Sequence, residues 1–334
     1  TTITISNVAP ILSGLPEIAW VNENEVRSLY CYVTDPGSDD LTVTWNFGDG
    51  TPEYTVPIYY NNGVSADPYP SPEINPMNIQ VFIDHTYGDN GEFNVTVTVT
   101  DDDGGTTTKT MTVRVDNVDP IITSEIQMPW PYPENPGYVL PIVHELSFNA
   151  TAYDQGSDDL TFTWDWDDGD IDTHTYYNDG INPDGYPSPE INPITSVDTI
   201  THTYSEPGTY NVALTVTDDD GGVVTATTFE VIVLNIEGAK HHINDYIQNL
   251  DDSFFKGKAA TRKNAFDNMF NALDNMLDNE EYWGMIQHLN NNIRSKCDGT
   301  VDGKKGDDWI TDPDAQYHIC AKIDDLTAYI ATYL

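Results

Sequence analysis

The chain predicts two β-sandwiches in tandem followed by an all-α helical bundle, and three observations carry that reading. The sequence is duplicated: NVTVTVTDDDGG at 94–105 returns as NVALTVTDDDGG at 211–222, and NVAP at Asn7 returns as NVDP at Asn117. Within each copy, runs such as LTVTW, FNVTVTV and TMTVRV alternate apolar and polar residues, as half-buried strands do. After residue 235 the apolar spacing changes to that of a helix. The expected division is an orphan strand at 1–6, sandwiches at 7–116 and 117–236, and a helical domain at 237–334.

The elements follow in order. The segment TTITIS at 1–6 resembles the last strand of copy one with its exit, TMTVRVDNVDP. It therefore reads as the end of an upstream domain, or as a strand that pairs with a neighbouring subunit. In each copy Pro, Gly, Asn and Asp cluster between the strands, where turns favour them. Trp45 and Trp164 hold the same place in their alternations and are core anchors. Between the turn after each tryptophan and the later HTY lies a long insertion ending in YPSPEINP, at 69–76 and 186–193. Proline at that density excludes a central strand. The insertions read as ordered loops with a contact to make, and Tyr59, Tyr60, Tyr69, Tyr176, Tyr177 and Tyr186 are the candidate contact residues. Further on, Ala265, Phe266, Met269, Phe270, Leu273, Met276 and Leu277 fall on one helical face within 259–279. YWGMIQHLNNNIRSK and DAQYHICAKIDDLTAYIATYL continue the pattern, and HHINDYIQNL precedes it as a short helix.

Charge narrows the function. With 13 Lys+Arg against 55 Asp+Glu, no basic patch could offset nucleic-acid phosphates or an anionic membrane. The excess fits divalent-cation binding or solubility in salt. No apolar run approaches the roughly 20 residues of a membrane span, and the start lacks the features of a signal peptide. If secreted, the chain is a processed form. N-x-S/T sequons at Asn94 and Asn149 are candidate glycosylation sites.

WNFGDG at 45–50, HTY at 85–87 and the VTVTD that ends at Asp101 resemble the PKD domain, an immunoglobulin-like sandwich. WDWDDG at 164–169 and HTY at 202–204 repeat the match, so it covers about two thirds of the chain. Both copies depart from the family by the long insertion. The resemblance implies a Ca2+ site in each copy, held by the N-terminal Asn, the Asp of the D-P-x-G turn and the Asp after the V-T-V run. Those residue types stand at Asn7, Asp35 and Asp101, then at Asn117, Asp154 and Asp218. Calcium seeks six to eight hard oxygens, and strand ends converge at one pole of a sandwich. Asp39, Asp40, Asp102, Asp103 and their copies either join the site or solvate the turn. Asp165, Asp167 and Asp168 invite a glycosidase reading. Asn46 and Gly48 replace the first two in copy one, and both sets fall in the tight family turn, so no enzyme is expected. His85 and His202 read as structural, and no HExxH, GxSxG or P-loop pattern occurs.

RKNAF at 262–266, L-x-x-x-I-R-x-K at 289–296, DG at 298–299, DWI at 308–310 and AQ at 315–316 are similar to a helical module at the C-termini of secreted archaeal and bacterial surface proteins. Cys297 and Cys320 then fall on successive helices, and a disulfide between them is expected in an oxidising compartment. Cys31 reads as a small buried residue. The acidic loop with Asp298, Asp302, Asp307 and Asp308 lacks EF-hand spacing. The expectation that results is an extracellular, cell-surface structural protein: calcium-stiffened repeats of a filament, sheath or surface layer, in contact with itself or other surface proteins. The rival is a non-catalytic adhesin or carbohydrate-binding region of a secreted hydrolase, with polysaccharide as its partner.

Overall fold

A computed structural model of the chain describes residues 3–63, 65–66, 74–128, 137–143, 145–180, 188, 190–299 and 308–334. In the first sandwich the alternating runs become β1 (Ile11–Ser13), β2 (Ile18–Asn22), β3 (Val26–Asp35), β4 (Leu41–Asn46), β5 (Tyr54–Thr55), β6 (Met77–Thr86), β7 (Gly91–Asp101) and β8 (Thr106–Asp116). They form one sheet of order β1-β3-β6 and another of order β2-β8-β7-β4-β5. Strand β2 pairs parallel with β8; the other pairs are antiparallel. Alternation sets the core: in β4, Leu41, Val43 and Trp45 are fully buried, as are Val95, Val97 and Val99 of β7. The two inner faces meet around these residues with Cys31, Val81 and Tyr87.

The second sandwich repeats the plan. Its strands are β9 (Ile121–Gln127), β10 (Gly137–Val139), β11 (Leu146–Asp154), β12 (Leu160–Asp165), β13 (Ile171–Tyr176), β14 (Ile194–His202), β15 (Gly208–Thr217), β16 (Val223–Thr225) and β17 (Phe229–Val233). The sheets run β9-β11-β14 and β10-β17-β15-β12-β13, with β16 on β15. Trp164 and Trp166 stack 5.5 Å apart in its core. A polar difference between the cores is Asp198, fully buried where the duplication puts Val81 in copy one. Asp198 accepts from Trp164 Nε1 at 2.6 Å and Tyr176 Oη at 2.9 Å, and pairs with His174 Nδ1 at 2.8 Å. In copy one the indole N–H of Trp45 has no such partner.

Both HTY motifs are structural, as the sequence implied. His85 stacks on Phe47 with ring centroids 3.7 Å apart and holds Asp49 of the tight turn at 2.6 Å. His202 stacks on Trp166 at 4.4 Å and holds Asp168 at 2.8 Å. The remaining carboxylates of that second turn are engaged within the sandwich: Asp165 accepts from the Asp167 N–H and Asp167 from the Asn211 N–H.

Helix α1 (Ile236–Asn249) starts two residues after β17, capped by Asn235, whose side chain accepts from the Gly238 N–H at 2.7 Å. It packs with α2 (Ala259–Asp278), α3 (Tyr282–His288) and α4 (Pro313–Ala331) around Phe266, Phe270, Leu289, Ile319 and Ile323. Buried Lys240 of α1 forms an ion pair with Asp274 of α2. Leu140 of the second sandwich belongs to this helical core. Cys31 is buried as expected. The expected Cys297–Cys320 disulfide is not formed. Both thiols are free: Cys297 Sγ donates back to the Ile293 carbonyl at 3.6 Å, and Cys320 Sγ to the Cys297 carbonyl at 3.6 Å. The helices bring the two residues together, yet Cys320 meets the backbone of Cys297. Residues Ile3 to Ser6 lie outside any strand, with Ile3 and Ile5 exposed.

Replacing Asp198 with Ala leaves the buried Trp164 N–H without a partner. The expected cost is about 2–3 kcal/mol of stability, read from the urea midpoint of the second sandwich. An unchanged midpoint would show that the network contributes nothing.

Candidate functional site: an acidic pole and the joint beneath it

The strand ends β3 and β7 place Asp35 and Asp101 together, and β11 and β15 do the same for Asp154 and Asp218. Local backbone dictates how each DDDGG turn is built. Asp101 closes it by accepting the Gly105 N–H at 2.6 Å; Asp218 accepts from Gly222 at 2.7 Å and Asp220 at 3.0 Å. Gly104 and Gly221 sit at φ of 92° and 99°, where a side chain is disfavoured. Gly105 and Gly222 are needed for a different reason: a Cβ there would overlap the Asp101 or Asp218 carboxylate. Each aspartate is thus wrapped against bare backbone at the pole.

The six expected ligands come together in large part. Asn7 Nδ2 donates to both oxygens of Asp101 at 3.0 and 2.9 Å, and Asn117 Nδ2 to Asp218 Oδ2 at 3.0 Å. Asp35, Asp39 and Asp101 each place a carboxylate oxygen within 4.8 Å of the other two. In the second copy Asp154 and Asp158 form the matching pair, but the third acid is Glu23 of the first sandwich rather than Asp218. A further triad joins Asp89, again from the first sandwich, to Asp158 and Asp220. Glu23 and Asp89 have no signal in the sequence, because their role arises only when the sandwiches dock.

The extra acids split by position. Asp39, Asp158 and Asp220 join the clusters. Asp40 and Asp159 instead accept from Asn61 and Asn178 at 2.9 and 3.0 Å, tying the insertions to the sandwich. Their own N–H groups donate to Asp102 and Asp219. Asn75 and Asn192 secure the far end of each insertion through Asn61 and Asn178 carbonyls. The insertions therefore root beside the acidic pole, and the second reaches the first sandwich: the Ser188 N–H donates to Asp89. Next to it, the Ser157 N–H donates to the Gly88 carbonyl at 2.8 Å.

The six candidate contact tyrosines divide by position. Tyr59 and Tyr176 pack against the sandwich cores, Tyr176 with its ring 5.5 Å from Phe162. Tyr60 and Tyr177 are half-buried at the turns that their carbonyls close with Gly63 and Gly180. Tyr69 and Tyr186 lie outside the described residues, as do Asp302 and Asp307. Asp308 caps the Gly299 N–H and Asp298 faces Arg294. Asn94 is exposed on β7 and Asn149 half-buried on β11.

Electrostatics mark these clusters as strained. Burial pushes the Glu23 carboxyl up to about 8, against the opposing pull of the Val118 N–H, and Asp154 and Asp89 add to the rise. Asp158 is pushed to about 9 by burial and by Glu23, Asp220 to about 7 by burial and Asp89, Asp154 to about 6 by burial. Asp39 rises to about 6 through burial and Asp35. Asp35 Oδ2 and Asp154 Oδ2 are buried without any hydrogen-bond partner. Hard oxygens left unpartnered in a repelling cluster fit a divalent cation, with Asp35, Asp39 and Asp101 able to hold one and Asp154 and Asp158 another.

A pH dependence follows. Groups with raised folded pKa bind more protons folded than unfolded, so they favour folding at low pH and lose that contribution as pH climbs through their folded values. In chelator the melting temperature should fall from about pH 5 to about pH 9, and saturating calcium should flatten the slope. A flat or rising profile in chelator contradicts this account.

The family model for the PKD domain matches the chain twice, at residues 19–115 and 134–231, together more than half of its length. Among similar solved structures are three β-rich modules. The PKD domain of an M14-like peptidase from a Thermoplasmatales archaeon shares 17% identity over 36% of this chain and 100% of that one, at a TM-score of 0.24. The PKD1 domain of Vibrio anguillarum Epp shares 20% over 36% and 100%, at 0.21. The fibronectin(III)-like modules of Clostridium thermocellum CbhA share 15% over 67% and 93%, at 0.23. No curated protein matches. PKD domains are typically non-catalytic modules of extracellular proteins that make protein or carbohydrate contacts. Among the described residues no helix is long and apolar enough to cross a membrane. With both matches falling on the duplicated sandwiches, the chain belongs to the PKD domain family and carries two copies of that domain.

Proposed function

We propose that the chain is an extracellular structural protein, a calcium-stiffened PKD repeat subunit of a cell-surface assembly such as a filament, sheath or surface layer. One observation carries the reading: the two sandwiches abut head to tail through a buried, polar joint rather than a free linker. The Gln155 side chain donates to the Glu23 carbonyl at 3.1 Å, the Val118 N–H to Glu23 Oε1 at 2.7 Å, and Ser157 N–H to the Gly88 carbonyl. A fixed angle between repeats is what a spacer needs, since flexible linkers transmit neither position nor force. Calcium at Asn7, Asp35 and Asp101 and at Asn117, Asp154 and Asp218 would relieve the charge at each pole. The helical domain, the insertions and the exposed Ile3 and Ile5 are the surfaces offered to other subunits. An archaeal or bacterial secreted origin and the surface-protein helical module belong to this same reading.

One observation favours the carbohydrate-binding alternative. Tyr30, Tyr32 and Phe82 are exposed on the outer face of β3 and β6, with Tyr30 5.9 Å from Tyr32 and 6.0 Å from Phe82. Such a cluster can stack on sugar rings. The second copy has Asn149, Thr151 and Thr199 at the matching positions.

Electron microscopy of the purified chain in calcium and then in chelator separates the two. Ordered polymers that loosen on chelation are expected. Dispersed single molecules in both conditions would refute the assembly reading. Retention on insoluble polysaccharide that is lost in Tyr30→Ala would then support the alternative.

A further inference from the structure

The joint between the sandwiches holds a charge arrangement that neither sandwich has alone. Glu23, in the turn before β3, and Asp89, in the turn before β7, come from the first; Asp154, Asp158 and Asp220 come from the second. Glu23 is 0% exposed, Asp154 and Asp158 1%, and Asp89 4%. Each of these four buries an oxygen with no hydrogen-bond partner: Glu23 Oε2, Asp89 Oδ1, Asp154 Oδ2 and Asp158 Oδ2. Asp89, Asp158 and Asp220 each bring a carboxylate oxygen within 4.8 Å of the other two. Among the described residues no lysine, arginine or histidine makes an ion pair with any of the five.

We propose that two divalent cations of the hard, oxygen-seeking class, calcium above all, lock this joint, one held by Glu23, Asp154 and Asp158 and the other by Asp89, Asp158 and Asp220. Asp158 bridges the pair. The inference extends the calcium reading of the second sandwich, on which it rests, by making the first sandwich a ligand donor. Five carboxylates, four of them buried, against two divalent ions leave close to neutral charge, where a single ion would leave three negative charges uncompensated.

Comparison of the two copies supports a purpose-built joint. The N–H of Asn24 donates to the Tyr87 carbonyl at 2.8 Å and that of Ile142 to Tyr204 at 2.8 Å, with φ of 53° and 50°. These matched turns put Pro141 where copy one has Glu23. The HTY register puts Ser205 opposite Gly88. At Gly88 a Cβ would overlap the Glu190 carbonyl, so the side chain that Ser205 carries could not be accepted there. Gly156 is likewise enclosed: a Cβ would overlap Asp158 and Glu23, and its absence lets the two acids approach. The second sandwich meets helices at this end, with Leu140 in their core, and has neither feature.

The test uses the full chain stripped with chelator and titrated with calcium chloride, followed by calorimetry, ion counting and spin-label distances between the sandwiches. Wild type should bind in two affinity classes, with the interdomain distance distribution narrowing as the tighter class fills. Glu23→Gln and Asp89→Asn should each weaken that class by about 10-fold or more and leave the weaker class, at Asp35, Asp39 and Asp101, unchanged. Glu23→Gln should also raise the melting temperature in chelator and lower it in calcium, because it removes a buried acid in one state and a ligand in the other. A purely structural glutamate would shift both the same way, and that result overturns the proposal. If Asp218→Asn weakens calcium binding while Glu23→Gln and Asp89→Asn do not, the calcium reading stands and the joint does not. If none of the three variants changes calcium binding, both fail.

Discussion

Mutual repulsion between carboxylates is the constraint around which this molecule is arranged. A sandwich of this topology brings the ends of two strands to one pole, and here both strands end in aspartate. The DDDGG turn holds the second of them against bare glycine backbone, out of reach of water, where like charges interact strongly. Backbone N–H groups from Gly37, Gly105, Gly156 and Gly222 each satisfy one oxygen. They cannot satisfy the rest, because a turn that tight exposes few donors. Burial of the remaining oxygens costs folding energy, a cost that protons or cations at the pole would offset.

The duplication, the strands and the helical segment were legible because they are written in local periodicity and in self-similarity. The tryptophan cores and the structural histidines followed from position alone. The acidic pole was legible too, since turn chemistry and resemblance coincide at Asp35, Asp101, Asp154 and Asp218. Glu23 and Asp89 were not, because their partners lie in the other sandwich, far away in sequence, and ENEN and GDN read locally as ordinary turns. The cysteines failed for another reason: helical spacing brings residues 297 and 320 together but does not decide where a thiol points. Among the tyrosines, adjacent pairs such as Tyr59 and Tyr60 give no alternation from which to tell an inward from an outward ring.

Where the copies differ, the difference tracks what each touches. Val81 became Asp198 in the second core, where His174 and Tyr176 of the longer β13 reach it and supply its partners. Copy one keeps Trp45 and Tyr59 at the matching positions, but it pairs only two residues in β5 and has no histidine there to pair with an acid. A buried carboxylate without that imidazole would be costly, and valine is the consistent choice. The exposed aromatic cluster of Tyr30, Tyr32 and Phe82 likewise belongs to copy one alone. The two sandwiches share a frame, and their surfaces are specialised.

The insertions gain a clear place in this frame. Both root on the GSDD turn beside the pole, so their position depends on the same strand ends as the acids. The second continues to the first sandwich, where Ser188 and Glu190 close over Gly88 and Asp89. One of its contacts is therefore within the chain. That placement buries the joint carboxylates and strengthens every charge interaction there, repulsive without a counter-ion and attractive with one. A joint sealed in this way responds sharply to cation supply, because the same burial that makes it rigid when neutralised makes it unfavourable when it is not.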